Sequence, residues 1–204
     1  MKRPTILLAA LALIALAAGL YLQSTGSGQP SSATANGSHA RALLRDATGQ
    51  PVGEVKLTEE DDTVLVKVTV HDLPAGFHGF HVHSKAECVA PFTSAGGHLG
   101  HDPSTTLHPN HPADMPVLLV NADGSGEARF KTDRYEIGDL FDVDGSALIV
   151  HAKPDNYGNI PKGAAARDYT PNSDDPADAN TATGFTAATG NAGDRIACGL
   201  IEGG

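Results

Sequence analysis

Apolar and polar residues alternate through three early segments, residues 41–44, 53–57 and 63–70, the last reading Thr63-Val64-Leu65-Val66-Lys67-Val68-Thr69-Val70. A period of two sends successive side chains to opposite faces of an extended chain, so these segments predict β-strands. Thr48-Gly49-Gln50-Pro51 and Asp61-Asp62 provide the reversals between them, because Gly, Pro and Asp meet the backbone demands of tight turns. Further strands are predicted over residues 79–84, 116–121, 127–132, 146–152 and 195–201, with Asp123-Gly124 as a hairpin signal between two of them. The pattern predicts an all-β fold: an eight-stranded antiparallel Greek-key barrel or sandwich. Two long stretches, residues 85–115 and 153–194, fit no strand. Long irregular loops in a domain are functional or disordered. Both flank histidines and are expected to be functional; for the Pro-, Asp-, Asn-, Thr- and Ala-rich middle, residues 162–188, mobility stays open as well.

The N-terminus follows another rule. Lys2 and Arg3 precede an apolar run over residues 6–22 with small residues at Ala15, Ala17 and Ala18, the layout of a secretory signal. The run also approaches the ~18–20 residues of a membrane span, so residues 1–22 are a signal peptide or an N-terminal anchor. Residues 23–40, rich in Ser, Gly, Ala and Thr with no apolar period, are expected to be a flexible linker. Residues 41–204 then form one domain of ordinary size, exported to the cell envelope, periplasm or exterior. The net charge of -10 argues against nucleic acid or an anionic membrane as partner. An anionic substrate would require a mouth that is locally positive. Cys88 and Cys198 fit an exported protein with one disulfide, or alternatively thiolate ligation of a metal.

Candidate chemistry begins with Gly79-Phe80-His81-Val82-His83. On a strand His81 and His83 project from one face and can grip one ion, and neutral imidazole suits copper and zinc. His78 falls on the opposite face. Downstream come Gly96-Gly97-His98, Val150-His151-Ala152-Lys153-Pro154-Asp155-Asn156, and Gly190-Asn191-Ala192-Gly193-Asp194-Arg195-Ile196-Ala197-Cys198-Gly199. In content, order and spacing these motifs resemble the copper/zinc superoxide dismutase family, from about Arg41 to Ile201. The four-residue gap between His83 and Cys88 resembles the bacterial branch.

The resemblance implies copper ligands His81, His83, His98 and His151, and copper-dependent disproportionation of superoxide to O2 and hydrogen peroxide. It implies that His98 bridges copper and zinc and takes up a proton, and that Arg195 guides the anion with a guanidinium charged at any working pH. Lys153, Lys162 and Arg167 are candidates to widen the positive funnel. Asp155 matches a carboxylate that hydrogen-bonds a copper histidine and a zinc histidine, fixing their tautomers. Cys88 and Cys198 match the cysteines of a disulfide beside the arginine. Closing about 110 residues contributes ~4.7 kcal/mol in the chain-entropy model.

The zinc half departs from the family pattern. His108-Pro109-Asn110-His111-Pro112-Ala113-Asp114 has the residue types but compresses the histidine spacing to three, and His101 is a further candidate. A zinc site of His98, His108, His111 and Asp114 stands as one reading. A copper-only member with a shortened loop stands as the other. For function, the alternative to an exported dismutase is an extracytoplasmic copper-binding or buffering protein without turnover, although storage does not call for an anion-guiding arginine.

Overall fold

In the computed structural model, residues 39–102, 108–157 and 189–204 are described. The signal or anchor, the linker as far as residue 38, and residues 162–188 with Lys162 and Arg167 lie outside the described residues. Among the described residues ten strands form: β1 (His39–Asp46), β2 (Pro51–Glu60), β3 (Thr63–Val70), β4 (Gly76–His78), β5 (Phe80–His83), β6 (Leu118–Val120), β7 (Gly126–Thr132), β8 (Ala147–His151), β9 (Arg195–Leu200) and β10 (Glu202–Gly203). All eight predicted strands are among them. The additions are short, β4 and β10, and β1 takes up the last two residues predicted as linker. His39 and Ala40 pair with Thr58 and Leu57, and Ala40 also with Gly203, which gives this stretch the partners that a linker lacks.

The main sheet runs β5-β8-β9-β1-β2-β3-β7, with β10 also on β1, while β4 pairs with β6. Every pairing is antiparallel. β4 and β5 are one extended run interrupted at Gly79, so the same stretch reaches β6 through one half and β8 through the other. The sheet curls accordingly. Gly79 is needed at this joint because a Cβ there would lie 2.6 Å from Ala192 Cβ and 3.1 Å from His81 Cε1. Its backbone anchors the neighbouring loop, with Gly79 N–H donating to Lys153 O at 2.8 Å and Gly79 O accepting from His151 N–H at 2.8 Å.

Alternation explains the core. Ala40, Ala42 and Leu44 of β1, Val55 and Leu57 of β2, and Val64, Val66, Val68 and Val70 of β3 point inward, joined by Phe80, Val82, Leu118, Ile137, Leu140, Leu148 and Val150. Each fully buried Val, Leu or Phe contributes roughly 1.5–3 kcal/mol of transfer free energy. A second, smaller cluster of Phe92, Ala95, Ala147, Ile149 and Cys198 lies on the other face of β8. It seats the loop after β5. That loop is closed by the Cys88–Cys198 disulfide, 110 residues apart in sequence.

Replacing both cysteines with alanine is expected to lower the unfolding free energy by up to ~4.7 kcal/mol, the loop-closure value for a crosslink of this length. Urea denaturation of the double variant against the parent measures it; equal stabilities would rule out a stabilising crosslink.

Candidate metal centre

β5 carries His81 and His83, both fully buried, on the face opposite Phe80 and Val82. Two loop segments lie along its free edge. Ser84 N–H donates to Gly97 O at 3.0 Å and Leu99 N–H to Val82 O at 3.0 Å, which sets His98 beside His83. Val82 N–H donates to Ala113 O at 3.2 Å, which sets Asp114 beside His81. On the other edge, β8 ends at His151, where a bulge interrupts its register with β9 and pairs His151 with Arg195. Bulges re-aim side chains at such positions.

One group of potential ligand atoms joins His81, His83, His98 and His151, and a second joins His98, His108, His111 and Asp114; within each group all lie within 4.8 Å of one another, and every residue is buried. The alternative left open by the compressed spacing therefore resolves toward a complete second cluster. His98 belongs to both.

The outward nitrogens are anchored. His83 Nδ1 donates to Gly96 O at 2.9 Å, His151 Nδ1 to Gly193 O at 3.0 Å, and His81 Nε2 to Asp155 Oδ2 at 2.6 Å. A neutral ring that donates at one nitrogen presents a lone pair at the other. His83 Nε2 and His151 Nε2 accordingly face each other at 3.4 Å. Among the described residues, His81 Nδ1 and His98 Nε2 are buried without a hydrogen-bond partner. Four inward lone pairs with no shared proton suit a cation, and a nitrogen set suits copper.

The second cluster fits an ion by its spacing, with Asp114 sharing protons with the rings in the metal-free protein. His98 Nδ1 and His108 Nδ1 lie 2.9 Å and 3.0 Å from Asp114 Oδ1, and His111 Nδ1 lies 3.3 Å from His98 Nδ1. A tetrahedron with bonds of ~2.0–2.1 Å has edges of about 3.3 Å, so the donor set fits zinc. The short loop is held by a tight turn, with Asp114 N–H donating to His111 O at 3.2 Å and His111 N–H to Asp114 Oδ2 at 3.0 Å. Arg134 Nη1 adds bonds to Pro109 O at 2.8 Å and His111 O at 3.0 Å. His101 is placed outside the cluster: its Nδ1 lies 2.9 Å from His111 Nε2, the nitrogen that points away.

Asp155 links the clusters. Its Oδ2 accepts from His81, its Oδ1 accepts from His108 Nε2 at 2.7 Å and from Tyr157 N–H at 2.7 Å. Gly190 closes over it at φ 61°, and a Cβ there would lie 2.1 Å from Asp155 Oδ1. Arg195 donates through Nη1 to Phe92 O and through Nη2 to Gly96 O at 2.6 Å. Gly96 O thus receives both Arg195 and His83. His78 is buried on the opposite face, bonded to His151 O at 2.7 Å and Pro74 O at 2.8 Å. Sequence reasoning did not single out Arg134, Tyr157 or the carbonyls of Phe92 and Gly96, and only Gly190, inside the Arg195 motif, carried a signal.

In the metal-free protein the electrostatics separate the neutral rings of the first cluster from the charged His108 of the second. Burial, then the neighbouring rings, holds His83 and His98 well below the ordinary histidine value, and burial with His81 nearby brings His151 down to about 3. Burial opposes a charged His108, but the hydrogen bonds it donates to the carboxylates of Asp114 and Asp155 outweigh it and raise His108 to about 9. Burial likewise opposes the two carboxylates, yet the imidazoles around them hold both well below the usual carboxylate range.

Residues 52–201 match the family model described as copper/zinc superoxide dismutase. The chain is 34% identical over 139 residues to the superoxide dismutase [Cu-Zn] of Caulobacter vibrioides, spanning 62% of this chain and 79% of that one. It is 33% identical over 196 residues to the corresponding protein of Mycolicibacterium paratuberculosis, spanning 88% and 81%. The solved structure of the Cu/Zn superoxide dismutase from Brucella abortus superposes with a TM-score of 0.59 at 27% identity, covering 80% of this chain and 99% of that one.

The depressed histidines predict a pH profile for the metal-free protein. Below about 6.5 the unfolded chain protonates histidines that stay neutral in the fold, so it binds more protons and stability falls as pH drops toward about 3. The carboxylates add to the loss below ~4. His108 acts on the other side: its contribution is complete below 6.5 and disappears as pH rises through about 9. Chemical denaturation across pH is expected to give a maximum near 6.5, and a flat acid limb would contradict the burial of neutral rings.

Proposed function

Because the chain belongs to the copper/zinc superoxide dismutase family, an oxidoreductase that disproportionates superoxide to O2 and hydrogen peroxide, we propose that His81, His83, His98 and His151 hold its copper and that His98, His108, His111 and Asp114 hold its zinc. The observation that carries this reading is the convergence of buried ligand atoms, three histidines and one carboxylate in one group and four histidines in the other, on two adjoining points that share one ring. When bound, copper supplies a one-electron redox couple and zinc a fixed positive charge.

The chain's own residues do the rest. Gly96 O, Gly193 O and Asp155 fix the three rings His83, His151 and His81, so that their ligand atoms are set before any ion arrives. His98 has Nδ1 on the zinc side, leaving Nε2 as the atom that takes up and returns a proton. Arg195 is half-buried, with two carbonyls orienting its guanidinium. It provides a local positive charge for an anion on a protein of net charge -10. Lys153, whose stem packs over Gly193, extends that charge beside His151. A copper store gains nothing from a guanidinium oriented in this way, so the geometry favours turnover over storage. The disulfide supports an extracytoplasmic location, and the apolar run over residues 6–22 supports export.

Loading the protein with copper and zinc and measuring bound metal alongside superoxide consumption tests the assignment. One copper and one zinc per chain with turnover is expected; copper without turnover would return the storage reading. His83→Ala is expected to lose copper and activity. Arg195→Ala is expected to keep both metals while losing roughly ten-fold or more in rate together with its salt dependence, and an unchanged rate and salt dependence would remove the guiding role.

A further inference from the structure

Tyr157 is held in a backbone conformation that its residue type rarely adopts. Its φ is 49°, in the left-handed region, where a bulky side chain persists only if the surroundings over-determine it. The surroundings are specific. Its phenol oxygen accepts from Val117 N–H and donates to Met115 O at 3.4 Å, three residues and one residue after Asp114. Its own N–H donates to Asp155 Oδ1 at 2.7 Å. One residue therefore joins the segment that leaves Asp114 to the carboxylate between His81 and His108.

We propose that Tyr157 is a positioning residue for the metal pair: its phenol, latched to residues 115–117, locks the backbone N–H that orients Asp155, and so sets the ring orientations of His81 and His108. The inference rests on the ligand assignment above. The latch is local, since Asp155 Oδ1 is boxed in from the other side by the backbone of Gly190, where Asn156 N–H donates to Gly190 O at 3.0 Å. With Gly190 as one wall and Tyr157 N–H as the other, the carboxylate has one orientation. Release of the phenol lets residues 155–157 relax out of the left-handed turn, and the Oδ1 contact to His108 loosens first. Tyr157 acts through Asp155, its phenol being bonded to the backbone of residues 115 and 117. Its influence is therefore expected in metal retention and ligand geometry rather than in the fold.

The test is Tyr157→Phe in the full chain, which keeps the ring and removes the latch. Three readouts are compared with the parent: zinc release to a chelator, the Cu(II) paramagnetic resonance spectrum, and the thermal midpoint of the metal-free protein. Zinc release faster by about ten-fold or more, with an altered copper spectrum and an unchanged metal-free midpoint, is the expected result. Parent-like zinc release and spectrum would overturn the proposal. So would faster release accompanied by a matching fall in the metal-free midpoint and an unchanged copper spectrum, since that is the mark of a purely structural residue. A parent that binds no zinc would instead overturn the ligand assignment, and the proposal with it.

Discussion

The buried carboxylate of Asp155 is the interaction around which the centre is arranged. An ionised carboxylate in a protein interior is costly unless its oxygens are satisfied, and here both are, by His81 Nε2, His108 Nε2 and Tyr157 N–H. Satisfying it dictates tautomers. A proton on Nε2 of His81 leaves its Nδ1 as a lone pair turned toward the first cluster, while His108, held protonated in the metal-free protein, turns Nδ1 toward Asp114 in the second and must give up that proton to bind an ion. A single side chain thereby orients one ring of each cluster, while His98 belongs to both.

The same device recurs with backbone oxygens. Gly96 O and Gly193 O hold Nδ1 of His83 and of His151 and so leave Nε2 inward. These carbonyls come from the two long loops. That explains the length of the loops: irregular backbone has carbonyls to spare, whereas a strand commits them to its neighbours. Gly96 O also accepts Arg195, which ties that guanidinium to the ring of His83. The loop is itself held by Phe92 and Ala95 packed on Ile149 and by the disulfide to β9.

Legibility in the sequence followed the range of the interaction. All eight strands were readable because alternation is local and the sheet enforces it. β10 escaped because two residues carry no period, and β4 because it is the front half of a run that Gly79 divides, with a buried histidine and an exposed Phe77 that reverse the expected pattern. Four copper-side histidines and Arg195 were readable as motifs, since each sits on or beside a strand. The second cluster was ambiguous for a physical reason: His108 and His111 are three residues apart with two prolines nearby, and sequence spacing cannot show that a turn closed by Asp114 and tied down by Arg134 points both rings inward. His101 looked like an equivalent candidate, and only its contact with the outer nitrogen of His111 separates it from the ligands.

The chain by itself determined the all-β architecture, the histidines available to a metal, the cysteine pair and the acidic net charge that surrounds Arg195. Those are properties of residue type and short-range period. The tertiary structure decided which nitrogen of each ring faces inward, that the compressed loop completes a second cluster, and that one carboxylate and one carbonyl are shared between neighbouring functions. Such decisions depend on hydrogen bonds between segments 13 to 99 residues apart, and no local pattern along the sequence encodes them.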